Sequence, residues 1–185
     1  MSELKKELRT YYLEKRKAFS VEEIQEKSEH IMCQFFEHVS LENVQVIHVF
    51  LPILTNNEVN TWKIILKVWK QFPELKIVVP VTDFRKKEMI HCLLEPDMEL
   101  VENKYRIPEP IERHQVADAE IDVAITPLLV VNKELIRVGY GGGFYDRFFA
   151  KAKPSMKKIG VGFFAPIQET TWVESHDIAL DQYLF

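Results

Sequence analysis

Helical spacing of apolar residues dominates the first part of the chain. Residues 2–18 combine Lys and Glu with a few leucines, and they predict a helix with little apolar surface. Ser20 and Glu23 fit a capping box, in which two side chains satisfy backbone N–H groups at a helix start. We therefore expect a second helix to follow Ser20 and to run to about His38.

Short apolar runs of strand length fill much of the remaining chain. They cover residues 44–50, 76–81, 88–94, 121–131, 157–164 and 179–185, and the fourth run includes an irregular end. Between the first two, apolar residues from Val59 to Trp69 recur at helical spacing. A strand, a helix and a strand in this order form a βαβ unit with parallel strands. The pattern predicts a layered α/β fold, whose ligands bind beyond the carboxyl ends of the strands.

One segment interrupts this alternation of strands and helices. Residues 98–115 contain two prolines and have no clear period, so we expect a surface loop there. Residues 144–152 regain helical character. The chain has no internal repeat and no linker long enough to divide it. Residues 1–185 are therefore expected to form one domain.

Composition and charge exclude several classes of protein. With 46% hydrophobic and 28% charged residues, the 185-residue chain matches an ordinary globular domain. A net charge of -4 gives no reason to expect a nucleic-acid partner. No apolar run approaches the roughly 20 residues of a membrane span, and the charged start does not resemble a secretory signal. We expect a cytoplasmic, single-domain protein, in which Cys33 and Cys92 are buried thiols.

The segment "RVGYGGGFYDRFF", residues 137–149, concentrates glycine to an unusual degree. Gly139 and Gly141 to Gly143 are four of the six glycines in the chain. The spacing fits neither common phosphate-binding glycine pattern. Because glycines have no side chains, their backbone N–H groups can nonetheless approach and bind an anion. A helix start near Gly143 would strengthen this anion binding. The alternative is a plain left-handed turn, for which a single glycine would suffice.

Charged residues near this segment and elsewhere add candidate chemistry. Asp146 can hold a divalent cation, because Mg²⁺ prefers one or two carboxylates together with phosphate and water. Arg147 can neutralise phosphate charge or form an ordinary surface salt bridge. Asp177, in an aperiodic segment, can be a second metal carboxylate, a helix cap or an exposed side chain. The six histidines show no spacing typical of a zinc site.

The first predicted helix carries several cations. Lys5 and Arg9 lie four residues apart on one face and could clamp a polyphosphate, whereas Lys6 and Arg16 are expected elsewhere around the helix. Composition alone favours a solvated helix with glutamate partners at positions 3, 7 and 14. Glu58 is expected to open the helix after the first strand, where it either suits the helix dipole or reaches a ligand.

Five stretches in this order resemble one known family. "KKELR", "NEVNT", "YRIPEP", "RVGYGGGFYDR" and "HDIALD" together are similar to the 5-formyltetrahydrofolate cyclo-ligases, also called 5,10-methenyltetrahydrofolate synthetases. The glycine segment is the most specific part, since the family pattern is close to R-x-G-x-G-x-G-Y-Y-D-R. Phe144 departs from that pattern, because it keeps a stacking ring but lacks the tyrosine hydroxyl.

The resemblance implies a fold and a reaction. The fold is a three-layer α/β/α sandwich with a mainly parallel central sheet. The reaction is the ATP- and Mg²⁺-dependent cyclisation of 5-formyltetrahydrofolate to 5,10-methenyltetrahydrofolate, with release of ADP and phosphate. It passes through a phosphorylated formyl group, an iminophosphate, and the substrate's own 10-nitrogen then closes the ring.

The resemblance also assigns roles to individual residues, including Lys5 and Arg9, for which composition favoured a solvated helix. The ATP-binding set is Lys5, Arg9, Arg137, Val138, Gly139, Tyr140, Gly141, Gly142, Gly143, Phe144 and Tyr145. The folate-binding set is Leu51, Glu58, Tyr140, Gly141, Gly142, Gly143 and Phe144. The Mg²⁺ carboxylates are Asp146 and Asp177, and the catalytic groups are Lys5 and Arg147.

Two other classes of protein stay open at this level. A nucleotide-binding module of the same fold could keep the glycine segment and lack cyclo-ligase activity. A sugar-phosphate isomerase or an acyl-CoA enzyme could share the architecture, since one fold hosts many functions. Such enzymes need no ATP, so nucleotide dependence separates them from the cyclo-ligase.

Overall fold

A computed structural model describes residues 3–185 of the chain. The helices are α1 Glu3–Lys17, α2 Val21–His38, α3 Trp62–Gln71 and α4 Phe144–Lys151. The strands are β1 Val46–Val49, β2 Lys76–Asp83, β3 Glu88–Leu94, β4 Leu100–Glu102, β5 Pro108–Pro110, β6 Gln115–Val116, β7 Val123–Pro127, β8 Val130–Val131, β9 Arg137–Val138, β10 Lys157–Val161 and β11 Gln182–Leu184. The expected start of α1 at residue 2 lies outside the described residues.

A seven-stranded sheet forms the centre of the fold, in the order β11-β10-β7-β1-β2-β3-β6. The strands from β11 to β2 run parallel, whereas β3 and β6 are antiparallel to their neighbours. In the middle of the sheet, Ile47 aligns with Ile77 on one side and with Val123 on the other. The predicted βαβ unit is β1, α3 and β2, and its strands are parallel as expected.

Helices cover both faces of this sheet. Ile47 and Ile77 point to a core that they share with Ile31 and Phe35 of α2 and Ile65 of α3. Because successive strand residues face opposite sides, Val46 and Val78 point to the other core, which also contains Phe148 and Phe149 of α4. The structure therefore confirms a layered α/β fold with a mainly parallel central sheet.

Helix α1 lies against a small two-stranded ribbon outside the main sheet. Its Tyr12 packs in a third core with Val138 of β9, Leu129 and Trp172. This packing sets the N-terminal half of α1 beside the glycine segment that follows β9. The position of α1 therefore depends on contacts that lie more than one hundred residues away in sequence.

The capping box at α2 is present as expected. The Glu23 amide donates to Ser20 Oγ at 3.1 Å, and the Ser20 amide donates to Glu23 Oε2 at 2.8 Å. These two hydrogen bonds satisfy backbone donors that the helix cannot satisfy internally.

The expectation of a surface loop over residues 98–115 was wrong in part. Strands β4 and β5 pair in an antiparallel ribbon, and β6 joins the edge of the main sheet next to β3. Pro108 and Pro110 are tolerated because the ribbon is only two strands wide, so an edge position needs no N–H donor there. The Asn103 side chain accepts from the amides of Tyr105 and Ile107 and so shapes the turn.

Three smaller expectations also differ from the structure. Helix α3 begins at Trp62, so Glu58 lies in the preceding turn rather than at a helix start. Asn57 adopts φ 53°, a left-handed conformation that a helix cannot contain. Cys33 is exposed, and only Cys92 is the buried thiol that was expected of both. Within residues 3–185, no helix combines the length and apolar character needed to cross a bilayer.

Replacing Phe35 with alanine tests the core between α2 and the sheet. Phe35 is 0% exposed, and a cavity of this kind costs about 3–5 kcal/mol. We expect Phe35→Ala to lower the free energy of unfolding by that amount in urea denaturation. The matched variant Cys33→Ala, on the exposed side of the same helix, should change it by less than about 0.5 kcal/mol. A loss below about 1 kcal/mol for Phe35→Ala would contradict this packing.

Candidate functional site

A cavity of about 600 Å³ opens at the carboxyl ends of β1, β2 and β7. This is the edge where a parallel sheet places its ligands. Its walls also include the N-terminal half of α1, the glycine segment and residues near 176. The lining residues are Lys5, Arg9, Phe50, Leu51, Ile53, Asn56, Glu58, Pro80, Thr82, Phe84, Met89, Tyr105, Ile107, Pro127, Arg137, Gly139, Tyr140, Gly141, Gly142, Gly143, Phe144, Tyr145, Asp146, Glu174, His176 and Asp177.

The glycine loop, residues 139–143, forms one wall and leads directly into α4. Gly141 has φ 92° and Gly143 has φ 64°, both in the region that favours glycine. A Cβ at Gly141 would lie 3.1 Å from the Arg9 guanidinium, so a side chain there would crowd the arginine. Gly143 is the N-cap of α4, and Phe144 is the first helical residue. The predicted combination of left-handed glycines and a helix start is therefore present.

Arg9 lies across the glycine loop from α1. Its Nε donates to the carbonyl oxygen of Gly139 at 2.9 Å. Burial lowers the pKa of the Arg9 guanidinium, which nevertheless stays charged because arginine begins so far above neutrality. Among residues 3–185, no carboxylate forms an ion pair with Arg9. Its positive charge therefore faces the cavity without an acidic partner from this part of the chain.

Lys5, one turn earlier on α1, contacts the acidic side of the cavity. Its Nζ lies 2.5 Å from Asp177 Oδ1 and 2.7 Å from Oδ2, and 3.4 Å from Glu174 Oε2. The Glu174 amide also donates to Asp177 Oδ2 at 2.8 Å. The expected glutamate partners therefore do not hold Lys5, which is buried against acids far along the chain. They pair instead with exposed lysines of the same helix, Glu3 with Lys6 and Glu14 with Lys17.

Arg137 and Asp146 form a second ion pair, one on either side of the glycine loop. Arg137 Nη2 donates to Asp146 Oδ1 at 2.6 Å, and Nη1 donates to the Ile178 carbonyl at 2.8 Å. The Ile178 amide donates back to Asp146 Oδ1 at 3.3 Å. Burial lowers the pKa of Arg137, and the Asp146 charge opposes that shift. These contacts hold the segment around residue 178 beside the start of α4.

Glu58 is a buried acid on the opposite part of the lining. The Tyr140 hydroxyl donates to Glu58 Oε1 at 2.6 Å, and the Ile53 amide donates to Oε2 at 2.8 Å. Arg16 Nη1 donates to the Tyr140 hydroxyl at 2.6 Å. Burial raises the pKa of Glu58, and these donors offset the shift only in part. The glycine loop and Glu58 are therefore joined through one tyrosine.

Two carboxylates predicted as metal ligands line the same cavity but have different neighbours. Glu174, His176 and Asp177 place ligand atoms within 4.8 Å of one another, and Asp146 does not belong to that group. Within residues 3–185, the hydrogen bonds to Asp146 go to its Oδ1. Oxygen donors of this kind suit Mg²⁺, which needs only one or two carboxylates when phosphate and water complete its shell. The donor set fits that ion.

Two predicted site residues do not line the cavity. Val138 is fully buried, because its side chain belongs to the core beneath α1. Arg147 is exposed and donates from Nε to the Lys87 carbonyl and from Nη2 to the Gly142 carbonyl, each at 2.8 Å. Arg147 therefore ties the glycine loop to the turn between β2 and β3. Contact with a ligand in the cavity would require its guanidinium to leave those carbonyls.

Sequence reasoning missed several residues of the site. Arg16 was expected elsewhere around α1, yet residues 9 and 16 are seven apart and return to one helix face. Phe84 and Tyr105 line the cavity with ring centroids 4.0 Å apart, and Phe84 meets Phe144 at 5.5 Å. Nothing in the local pattern brings those three rings together, since Phe84 and Tyr105 lie in two separate turns and Phe144 begins α4.

Tyr145 lines the cavity, but its hydroxyl points into the sheet. The hydroxyl oxygen lies 3.0 Å from His48 Nε2, and His48 Nδ1 lies 3.0 Å from His91 Nδ1. Each histidine interrupts an otherwise apolar strand, which was a usable signal of a buried polar group. Burial raises the pKa of Tyr145 far above its usual range, so the hydroxyl remains protonated.

The fold and the cavity together define an α/β protein with a glycine-lined ligand site that contains both cationic and acidic side chains. A model of the 5-formyltetrahydrofolate cyclo-ligase family matches residues 1–185. The chain therefore belongs to the 5-formyltetrahydrofolate cyclo-ligase family, whose members are ligases.

Individual relatives agree with this assignment. The 5-formyltetrahydrofolate cyclo-ligase of Escherichia coli (strain K12) is 27% identical over 173 residues, covering 90% of this chain and 92% of that protein. The Haemophilus influenzae cyclo-ligase is 28% identical over 144 residues, covering 76% of each chain.

Two solved structures share the fold. The 5,10-methenyltetrahydrofolate synthetase of Mycoplasma pneumoniae matches with a TM-score of 0.75 at 22% identity and covers 97% of both chains. The NMR structure of the Aquifex aeolicus 5,10-methenyltetrahydrofolate synthetase matches with a TM-score of 0.78 at 25% identity, covering 98% of this chain and 89% of that one.

The raised pKa of Glu58 predicts how the stability of the protein depends on pH. A carboxyl with a raised pKa binds its proton more tightly in the folded state, so its contribution is complete below its ordinary value of 4.5 and is lost as the pH rises. Glu58→Gln removes this titration. We expect the variant to gain stability relative to the natural protein as the pH rises above 4.5, with a slope of up to about 1.4 kcal/mol per pH unit.

Urea denaturation at several pH values measures this difference. In a matched Tyr140→Phe variant, Glu58 loses a donor that favours its charged form, so the loss of stability should extend to higher pH. A difference between Glu58→Gln and the natural protein that stays constant or shrinks with rising pH would show that Glu58 is not a desolvated acid.

Proposed function

We propose that the chain catalyses the ATP- and Mg²⁺-dependent cyclisation of 5-formyltetrahydrofolate to 5,10-methenyltetrahydrofolate, releasing ADP and phosphate. One observation carries the proposal beyond family membership. Tyr140 belongs to the glycine loop, and its hydroxyl donates to the buried Glu58 at 2.6 Å. The loop proposed for the nucleotide and the acid proposed for the folate therefore line one cavity, as group transfer between the two substrates requires.

The nucleotide triphosphate is proposed to lie along the glycine loop. Arg9 presents a guanidinium without an acidic partner in the described chain, and it contacts the loop through Gly139. The start of α4 directs its positive end to the same place. Lys5 lies one turn from Arg9, and it would exchange its contact with Asp177 for a phosphate oxygen. Two cations and a helix start together can balance much of the charge of a triphosphate.

Magnesium is proposed to bind at Asp146 and Asp177. Both carboxylates line the cavity, and the hydrogen bond from the Ile178 amide to Asp146 holds their two segments side by side. When bound, the ion would supply positive charge that neutralises the phosphates. In the structure, Lys5 is paired with Asp177. A cation bound to Asp177 would release Lys5 for a phosphate, and a phosphate bound to Lys5 would release Asp177 for a cation. Each ligand would therefore favour the binding of the other.

The folate is proposed to bind against Glu58. A carboxylate suits the adjacent ring N–H and amino donors of a pterin, because two parallel hydrogen bonds fit its two oxygens. Leu51 supplies an apolar surface beside it, and the Phe144 ring borders the cavity from the glycine loop. Hydrogen bonds from these pterin donors would also favour the ionised form of Glu58, whose pKa burial raises.

The chemistry needs positioning more than a protein nucleophile. The formyl oxygen attacks the γ-phosphorus, and the bond to ADP breaks. The folate 10-nitrogen then attacks the activated carbon and loses its proton, and phosphate leaves with the former formyl oxygen. Phosphoryl transfer of this kind relies on alignment and on stabilisation of charge. Lys5 and Arg9 are the cations that would supply that stabilisation directly.

Arg147 is proposed to act on the phosphates indirectly, through the glycine loop. Its hydrogen bond to the Gly142 carbonyl fixes the middle of the glycine loop. We also propose that the protein acts as a monomer, because a single chain brings Arg9, the glycine loop and Glu58 together around one cavity.

A direct assay tests the proposed reaction. Purified protein with 5-formyltetrahydrofolate, ATP and Mg²⁺ should produce the near-ultraviolet absorbance of the methenyl product, and omission of ATP should abolish the signal. Binding of Mg²⁺–ATP without product and without affinity for 5-formyltetrahydrofolate would instead identify a nucleotide-binding module that lacks this activity. Product formed equally well without ATP would also contradict the proposal.

Substitutions at Arg9 and Glu58 should affect the KM values of the two substrates differently. Arg9→Ala removes a charged donor, worth about 1.5–3 kcal/mol, so the KM for ATP should rise about tenfold or more while the KM for 5-formyltetrahydrofolate changes less than about twofold. Glu58→Gln should raise the KM for 5-formyltetrahydrofolate more than the KM for ATP. Lys6→Ala, an exposed cation of the same helix, is the matched control and should leave both KM values unchanged. If Arg9→Ala raised the KM for 5-formyltetrahydrofolate more than the KM for ATP, α1 would contact the folate and not the nucleotide.

A further inference from the structure

A row of four polar side chains crosses the protein from the cavity to the surface. His48 lies in the middle of β1 and His91 in β3, and both imidazoles are buried. Strand β2 runs between them, with Val78 aligned to His48 and Pro80 aligned to His91. The two rings meet above β2, where their Nδ1 atoms are 3.0 Å apart.

Each end of the histidine pair meets another polar group. Towards the cavity, His48 Nε2 lies 3.0 Å from the hydroxyl of Tyr145, in the first turn of α4. Towards the surface, His91 Nε2 lies 3.5 Å from Asp118 Oδ1, a contact longer than a good hydrogen bond. Phe148 of α4 packs against both imidazoles, with ring centroids 5.5 and 4.3 Å away, and so excludes water from that side.

The charges around the pair favour two neutral imidazoles. Burial lowers the pKa of His48 well below its usual value, and the neighbouring His91 lowers it further. Burial lowers the pKa of His91 to about 4, although the Asp118 charge acts in the opposite direction. Tyr145 and Asp118 are the other titratable groups that contact the pair. At neutral pH, each ring therefore carries one proton.

One arrangement of these protons avoids repulsion along the row. At 3.5 Å, Asp118 is an electrostatic neighbour of His91 Nε2 and not a hydrogen-bond partner. A carboxylate only accepts, so His91 directs its Nε2–H to Asp118 and leaves its Nδ1 as an acceptor. His48 must then donate from Nδ1, and its Nε2 becomes an acceptor. The Tyr145 hydroxyl is the donor to that nitrogen. The opposite arrangement would place two lone pairs between His91 and Asp118, which repel each other.

We propose that His48 and His91 are positioning residues, whose fixed tautomers hold the Tyr145 hydroxyl and thereby fix the first turn of α4 and the glycine loop over the end of β1. Tyr145 directly precedes Asp146 and directly follows Phe144. A displacement of its ring would therefore move the loop, the metal carboxylate and the helix start together. The effect on catalysis rests on the proposed function, whereas the tautomers and the order of α4 do not.

The histidine tautomers provide a test that is independent of activity. Long-range ¹H–¹⁵N NMR correlation spectra of the full chain at pH 7 should show His48 protonated at Nδ1 and His91 protonated at Nε2. The Tyr145→Phe variant should shift the His48 Nε2 resonance and leave His91 nearly unchanged. A His48 ring protonated at Nε2, or an imidazolium at either position, would overturn the proposal.

The consequence for the site is tested with His48→Phe, which keeps an aromatic ring but removes the acceptor. We expect faster amide hydrogen exchange over residues 144–147 and an increase of about tenfold in the KM for ATP, because small displacements of a site are costly. The KM for 5-formyltetrahydrofolate should rise less than the KM for ATP, because Glu58 and Leu51 lie outside the displaced loop. His48→Gln, which keeps both an acceptor and a donor, should recover most of the lost affinity.

A double variant separates positioning from a general loss of packing. His48→Phe and Tyr145→Phe remove the two ends of one hydrogen bond, so the double variant should be no worse than the more severe single variant. Additive losses, or unchanged hydrogen exchange over residues 144–147 in both single variants, would overturn the positioning role. If the natural protein has no cyclo-ligase activity, hydrogen exchange and the tautomers still decide the structural claim, and only the proposed function fails. If His48→Phe does not fold, Tyr145→Phe and His48→Gln provide the same readouts.

Discussion

The ion pair between Arg137 and Asp146 is the constraint on which the site depends. The two residues are nine positions apart and flank the glycine loop, so their 2.6 Å contact closes that loop at its base. Ile178 completes a small ring of hydrogen bonds by accepting from Arg137 and donating to Asp146. A buried cation without its partner is costly, so the backbone between them keeps a narrow range of conformations. Left-handed glycines can occupy that range without steric strain.

The distribution of charge around the cavity follows from this closure. Arg137 and Lys5 are both held by acids, whereas Arg9 contacts a carbonyl of the glycine loop and keeps its charge directed to the cavity. Glu58 is balanced by the Tyr140 hydroxyl, a backbone amide and the nearby charge of Arg16, which together leave it a desolvated acid with a raised pKa. The cavity thus has a cationic wall and an acidic wall. Such a division suits two substrates of different chemistry that must meet end to end.

Much of the fold could be predicted because periodicity reports directly on which residues are buried. The β1, α3 and β2 unit, the capping box at Ser20 and the helix after Gly143 are all present. The errors fall where a partner strand or the exact start of a helix decides the outcome. Residues 98–115 gain strands only because each finds an edge to pair with, and α3 begins at Trp62 rather than at Glu58. The candidate site residues came mostly from the family resemblance, and all but Val138 and Arg147 line the cavity.

The sequence by itself determined the order of the elements, the parallel sheet and the place of the glycine loop at a helix start. These follow from side-chain size, polarity and backbone freedom, which are local properties of each residue. Only the tertiary structure decided the pairings: Lys5 with Asp177, Arg16 with Tyr140, and His48 with His91. Each pairing joins residues at least 43 positions apart, and it exists because separate elements pack at a fixed distance. Local patterns assign a residue to a face of a helix or strand, and packing alone selects the residue that it meets there.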